Sequence, residues 1–496
     1  MRVRLGSRYQ PLAHPPGCAC QGPLARAVLR RLDRGAARRP VLAAAGAATS
    51  AGTARPSRTE PSAAKPAAAD PSAAGPPRPI VLRCGRIFDG RASALLDGHD
   101  VLVADGRIAA LVPTGQAVAD AEVVDCTAKV VMPGLIDAHW HSLLAAIPEQ
   151  AALTADVAYL HLVAAEEAER TLLRGFTTVR DVGGPAFALK RAIDEGRFAG
   201  PRIFPAGAMI SQTSGHGDFR FRNELPRTAL SGPSAAEAAG ISAIADGEAE
   251  VLRRVREQLM LGASQIKIMA GGGVSSQHDP IESVQFSERE MRAAVGAATD
   301  WGTYVCAHVY TSAGIRRALA SGVASIEHGQ LADEDTVRMI TDAGAWWCLQ
   351  PFLADEDANP QPTEAQRAEQ RAIAEGTVRA FELARKHGVK TAWGTDILFN
   401  PRGTAGQGRQ LAKIARWFEA VDVLRLATSG NAELLGLSGA RNPYPGALGV
   451  VAPGAHADLL VVDGDPLEDI GLIADPERTL ALVMKGGRIH KNTLAG

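Results

Sequence analysis

Short apolar strands alternating with longer helix-like stretches between Pro133 and Gly439 predict an α/β chain with the rhythm of a TIM (β/α)8 barrel. Three observations carry that reading. Eight apolar runs can be marked, ending near His141, Asp181, Met209, Met269, Tyr310, His328, Gln350 and Asp396. The stretches between them, such as Ala164 to Arg174, Glu248 to Leu261, Glu288 to Trp301 and Gln366 to His387, have helical spacing and charge patterning. At both ends of the chain, β-type runs punctuated by Asp-Gly predict a small β-sandwich over 79–132 and 440–492, packed around the central segment 133–439. A doubly wound open sheet is the alternative for the centre, but no Gly-x-Gly-x-x-Gly follows its first strand.

The length of 496 residues suits one large domain with an accessory one. A near-neutral formal charge of −1, with 22% charged and 46% hydrophobic residues, argues against nucleic acid or a charged membrane surface as the main partner. No apolar run approaches the roughly 20 residues of a membrane span. The six cysteines (Cys18, Cys20, Cys84, Cys126, Cys306 and Cys348) have neither zinc-finger nor disulfide-framework spacing.

Taken in order, the chain begins with residues 1–78, rich in Ala, Pro, Arg, Gly and Ser. Such a composition buries too little apolar surface to offset the entropy of ordering, so disorder is expected there. Nine arginines against the single Asp33 in residues 1–40, followed by a short apolar stretch with small residues near Ala48 to Ala54, resemble an export signal. A linker or a mis-called start fits as well, so a cytoplasmic location is expected with export left open. Next come Ile80-Val-Leu-Arg-Cys-Gly-Arg-Ile-Phe-Asp-Gly and Asp100-Val-Leu-Val-Ala-Asp-Gly-Arg-Ile, the N-terminal part of the β-sandwich.

The first central strand is Val131-Met-Pro-Gly-Leu-Ile-Asp-Ala-His-Trp-His. Residues i and i+2 of a strand share a side, so His139 and His141 can meet one metal ion while Trp140 faces the opposite layer. The competing reading is a strand that merely ends in two histidines. The second strand brings Arg180 beside Asp181, as a carboxylate clamp or as half of a supporting salt bridge. After the third comes Thr213-Ser-Gly-His-Gly-Asp, where His216 either touches substrate or caps a turn.

The fourth strand, Ser264-Gln-Ile-Lys-Ile-Met, puts Lys267 inside an apolar run, where an unpaired ammonium is costly. His278 and Asp279, past Gly271-Gly-Gly, shape the entrance without assigned chemistry. The fifth strand ends in His308 and Tyr310, the sixth in His328, the eighth in Asp396. Each alone has a bland reading, a satisfied core histidine or a snorkelling lysine. Their coincidence on five strand ends does not. The closing stretches Ala457-Asp-Leu-Leu-Val-Val-Asp-Gly and Leu482-Val-Met-Lys-Gly-Gly-Arg-Ile supply the C-terminal part of the sandwich.

Over residues 80–492 the sequence resembles the amidohydrolase superfamily, most closely its imidazolonepropionase-like and prolidase-like (Xaa-Pro dipeptidase) branch. The motifs are Pro133-Gly-Leu-Ile-Asp-Ala-His-Trp-His, Leu173-Arg-Gly-Phe-Thr-Thr-Val-Arg-Asp, Gln265-Ile-Lys-Ile-Met, Ile326-Glu-His-Gly, Gly394-Thr-Asp and Pro453-Gly-Ala-His-Ala-Asp-Leu. The resemblance implies a TIM barrel with a β-sandwich from both chain ends and a binuclear metal centre. One metal would take His139, His141 and Asp396, the other His308 and His328. Lys267, carbamylated by CO2, would bridge them. Zn²⁺ suits such ligands, with Mn²⁺, Co²⁺ or Fe²⁺ open.

On the same resemblance Asp396 would move the proton, Tyr310 would donate to the oxyanion and His216 would touch substrate. A small-molecule amide or peptide, a dipeptide or an N-acyl amino acid, is the expected substrate, and similar proteins are commonly homo-oligomers. A cyclic-amide or imidazolone hydrolase or a deaminase is the enzymatic alternative. Purine-type deaminases carry Glu three residues past the fifth-strand His, where this chain has Thr311. A metal-free scaffold is the remote alternative, and no ligand is missing.

Overall fold

A computed structural model describes residues 78–494 except 225–231, 276–278, 360 and 362. The expectations of disorder or export in the N-terminal segment, the Cys18/Cys20 pair and His278 lie outside the described residues. Four strands open the described chain: β1 (Ile80–Ile87), β2 (His99–Ala104), β3 (Arg107–Pro113) and β4 (Glu122–Pro133). Ten follow in the centre: β5 (Leu135–Trp140), β6 (Phe176–Asp181), β7 (Arg202–Pro205), β8 (Met209–Ser211), β9 (Ser242–Ile244), β10 (Ile266–Met269), β11 (Val305–Thr311), β12 (Ser325–Leu331), β13 (Trp346–Leu349) and β14 (Thr391–Trp393). The last three are β15 (Leu459–Val462), β16 (Leu480–Lys485) and β17 (Arg488–Asn492).

Both chain ends enter one mixed sheet, ordered β17-β16-β15-β4-β1-β2-β3. The seam is the antiparallel register of β15 on β4, Leu459 opposite Pro133 and Val461 opposite Val131. Alternation then sends side chains to two faces. Val130, Met132, Leu460 and Val462 join the large central core, whereas Val131, Leu459, Val461 and Leu482 share a separate apolar cluster with Leu82, Val101 and Ile108.

The ten central strands all pair in parallel, as β5-β6-β7 and as β14-β13-β12-β11-β10-β8-β9. They are buried nearly throughout, as strands covered on both faces must be, although β6 and β12 carry several polar and charged side chains. Hydrogen bonds outside the ladders link the two sets. Ser264 N–H donates to Pro205 C=O at 2.7 Å, and Asp396 N–H to His139 C=O at 2.8 Å. The Asn431 amide donates to Ile136 C=O and to Trp393 C=O, at 2.7 and 2.8 Å, tying β5 to β14.

The predicted third strand ending near Met209 is in fact two, β7 and β8. Gly207, at φ +79°, breaks the run, and a Cβ there would lie 2.4 Å from the Gln258 amide oxygen. That oxygen is engaged by Ala208 N–H at 2.9 Å, so the chain turns before pairing again with β10. β9 adds a further strand to those read from sequence. The helices fall close to their expected places: Val157–Leu173, Glu248–Leu261, Glu288–Asp300 and Glu364–His387. Ser287 and Glu290 form a capping box at the third, and Gly262 and Gly388 end the second and fourth in the left-handed conformation. Among the described residues no helix is long and apolar enough to cross a membrane.

Candidate metal centre

The C-terminal ends of β5, β10, β11 and β12, with the turn after β14, converge on a cavity of about 350 Å³. His139, His141, Lys267, His308, His328 and Asp396, the six predicted ligands, all line it, together with Tyr310 and His216. As the strand period requires, Trp140 points the other way, into the cluster of Leu143, Leu160 and Ile203.

His139, His141 and Asp396 form a group whose ligand atoms lie within 4.8 Å of one another. His141 Nε2 is 3.1 Å and His139 Nε2 3.3 Å from Asp396 Oδ1. The outer nitrogens are occupied. His139 Nδ1 lies 2.7 Å from Glu327 Oε2, and His141 Nδ1 is 3.0 Å from Gly183 C=O. A ring that donates through Nδ1 presents a lone pair at Nε2, the form in which imidazole binds a metal. The donor set, two imidazole nitrogens and a carboxylate, therefore fits a divalent cation.

The other predicted ligands present a different picture. The His308 ring lies 4.6 Å from His328, which lies 4.8 Å from His139. His308 donates through Nε2 to Gly272 C=O at 3.2 Å, and His328 Nδ1 meets Gln350 Oε1 at 2.7 Å. Among the described residues, each ring thus keeps one nitrogen without a hydrogen-bond partner. Burial pushes both imidazoles well below their ordinary pKa, so both stay neutral; His216 and His328 add to the effect at His308, while Asp396 opposes it at His328. Lys267 is 2% exposed, and among the described residues no hydrogen bond or ion pair reaches its ammonium. Burial opposes ionisation of Asp396, but His139, His141 and His328 outweigh it and hold the carboxylate well below its usual range.

Two of these residues hold an unusual backbone. His328 has φ +73° and Asp396 +51°, a region that side chains seldom enter. Hydrogen bonds fix both: Trp347 Nε1 donates to His328 C=O at 2.7 Å, and Asp396 donates its N–H to His139. Asp137 bridges β5 to the turn after β14, accepting from His139 N–H at 3.0 Å, Thr395 N–H at 3.1 Å, the Thr395 hydroxyl at 2.7 Å and Gln407 at 3.0 Å.

Tyr310 packs edge-on to His308, with ring centroids 5.3 Å apart. Burial, with Asp396 nearby, pushes its phenol well above its usual pKa, and its hydroxyl meets no partner among the described residues. Thr311 instead caps the helix Ser312–Ala320, its side chain accepting from Gly314 N–H. His216 stacks on His308 at 4.2 Å and 11°, with Nδ1 3.0 Å from Asp279 Oδ2. Asp279 is thus a buried partner of His216 behind the cavity wall, which places it deeper than the expected entrance position. Apolar side chains such as Phe219, Phe352, Leu398 and Phe399, and polar ones such as Glu149, Asp357 and Asn400, complete the lining.

Arg180 does not reach the cavity. Fully buried, it donates to both oxygens of Glu327 at 2.8 and 2.7 Å, so the salt-bridge reading holds and the substrate-clamp reading does not. Sequence reasoning does not single out Glu327, Asp137 or the Gln350 side chain, and it names Asp279 without its pairing to His216. A signal exists for the first two: like Lys267, each is an ionisable residue inside an apolar strand run, and such a group must find a partner.

Comparison with known proteins agrees with this geometry. A family model described as "Amidohydrolase family" matches residues 130–490. The chain is 31% identical to ochratoxinase of Aspergillus niger over 386 residues, 73% of this chain and 76% of that protein. The crystal structure of a prolidase complexed with N-methylphosphonate-L-proline is similar with a TM-score of 0.77 and 36% identity, covering 84% of this chain and all of that one (100%). A Xaa-Pro dipeptidase with methionine bound in its active site is similar with a TM-score of 0.72 and 27% identity, over 84% and 100% of the two chains.

Proposed function

Since this chain belongs to the amidohydrolase family and is a hydrolase acting on carbon–nitrogen bonds, we propose that it cleaves the amide of a dipeptide or N-acyl amino acid at a binuclear metal centre. The observation that carries the reading is the convergence of His139 Nε2 and His141 Nε2 on Asp396, with both outer ring nitrogens already engaged. In this reading His139, His141 and Asp396 hold one divalent cation, His308 and His328 hold the second, and Lys267 joins them as a carbamate. A carbamate is anionic, which accounts for a buried lysine that has no partner among the described residues.

Bound there, two divalent cations would polarise the scissile carbonyl and acidify water to hydroxide near neutral pH. The chain's own groups do the rest. Asp396, held ionised, accepts the proton of the attacking water and returns it to the departing nitrogen. Tyr310, whose hydroxyl meets no partner among the described residues and stays protonated, donates to the carbonyl oxygen as charge builds on it. His216, fixed by Asp279, contacts the substrate from the wall beside His308.

The same reading closes the central strands into a TIM barrel, supported by the bonds from Asp396 to His139 and from Asn431 to β5 and β14. It takes 79–132 and 440–492 as a β-sandwich, supported by the apolar cluster that Leu82 and Val101 share with Val461 and Leu482.

Protein supplied with Zn²⁺ and bicarbonate should turn over members of a panel of dipeptides and N-acyl amino acids. Turnover of a cyclic imide, a lactone or an imidazolone, with none of that panel, would overturn the peptide-like assignment.

A further inference from the structure

Beneath the candidate metal centre lies an ion pair, Arg180–Glu327, both side chains 0% exposed. The guanidinium reaches several strands at once. It donates to Ala138 C=O of β5 at 2.5 Å, to the Tyr304 hydroxyl before β11 at 3.2 Å, to the Ser325 hydroxyl of β12 at 3.4 Å and to both oxygens of Glu327. Glu327 also accepts from the Ser325 hydroxyl at 2.6 Å and, through Oε2, from His139 Nδ1 at 2.7 Å. A buried ion pair seldom stabilises a fold more than apolar groups of the same volume do. Stability alone therefore gives no account of why charges stand here.

The geometry of His139 does. With Nδ1–H committed to Glu327, the ring can present only Nε2, and it does so 3.3 Å from Asp396 Oδ1. We propose that Glu327 is the positioning residue of the centre, fixing the tautomer and ring orientation of His139 toward a divalent cation, while Arg180 compensates its charge and ties it to β5. The inference rests on the metal-centre reading above and adds to it the group that orients one ligand. Outer partners of this kind change metal affinity by about 10- to 100-fold.

A single substitution of Glu327 leaves the Arg180 guanidinium buried without a counter-charge and endangers the fold, so two double variants make the test. R180M/E327L removes both charges and the acceptor; R180M/E327Q removes the charges but keeps a neutral acceptor for His139. Affinity for Zn²⁺ alone is measured by competition with a chromogenic chelator, and the thermal midpoint is measured on the metal-free proteins. The expected affinity order is wild type, then R180M/E327Q, then R180M/E327L, the last weaker by about 10- to 100-fold, with metal-free midpoints that do not follow this order. Affinities equal to that of the wild type, or affinities that track the midpoints, would overturn the positioning role. A wild-type protein that takes up no Zn²⁺ would overturn the metal-centre reading as well, which separates the two failures.

Discussion

The two halves of the candidate centre are built differently. His139, His141 and Asp396 stand with their ligand atoms within 4.8 Å of one another, their outer contacts supplied by Glu327, Gly183 and the β5 backbone. His308 and His328 bring only two neutral rings, 4.6 Å apart, beside Lys267, whose ammonium meets no partner among the described residues. One half has its anionic ligand in place, and its geometry is set by groups outside it. The other would gain an anion of its own only through the proposed carbamylation of Lys267. The contrast teaches that the proposed second site is conditional on a chemical modification, whereas the first is conditional only on folding.

Substitutions can break or sharpen that contrast. The largest effect is expected at Asp396. Asp396→Ala removes the carboxylate that both His139 and His141 face and the proposed proton carrier, so kcat should fall by about 10³-fold, within the range for loss of a general acid–base group. Elemental analysis should show loss from the first site; metal content and rate near wild type would end the distinction between the halves.

Lys267→Ala should come next, with a loss exceeding the ~10- to 100-fold cost of an outer partner. If the halves differ as argued, this variant keeps about one equivalent of metal, and short carboxylates restore part of its rate. Retention of both equivalents and full rate would rule out the bridge.

Tyr310→Phe tests a group that belongs to neither half. A 10²- to 10³-fold drop in kcat is expected, the usual cost of one oxyanion donor, with KM and metal content unchanged. A raised KM at constant kcat would instead make Tyr310 a substrate-binding group. The smallest effect is expected at the wall. His216→Ala should raise KM by about 10-fold, the worth of one hydrogen bond to a charged group, and leave kcat and both metals in place. Loss of metal from His216→Ala would show that its stacking on His308 supports the second site, and the wall would then belong to that half.

Much of this site is legible in the sequence because strands impose a period of two. His139 and His141 share a side, Trp140 takes the other, Lys267 stands inside an apolar run, and His308, His328 and Asp396 stand at or just past the ends of theirs. The helices are legible through their spacing and charge patterning. The division of the third strand is not, because it depends on a tertiary contact: Gly207 turns the chain against Gln258, 51 residues further along. The salt bridge of Arg180 is written in the chain as a charge inside an apolar strand, but its partner is 147 residues away and no local rule selects it.

The sequence by itself determined which elements form and which side chains stand at their ends, since propensity, periodicity and the cost of burying charge all act locally. Only the tertiary structure decided which ring nitrogen of His139 and of His141 faces the cavity, that Arg180 is spent on Glu327, and that Lys267 meets no partner among the described residues. Those outcomes rest on hydrogen bonds between strands as far apart as the 188 residues from His139 to Glu327, which exist only once the strands lie side by side.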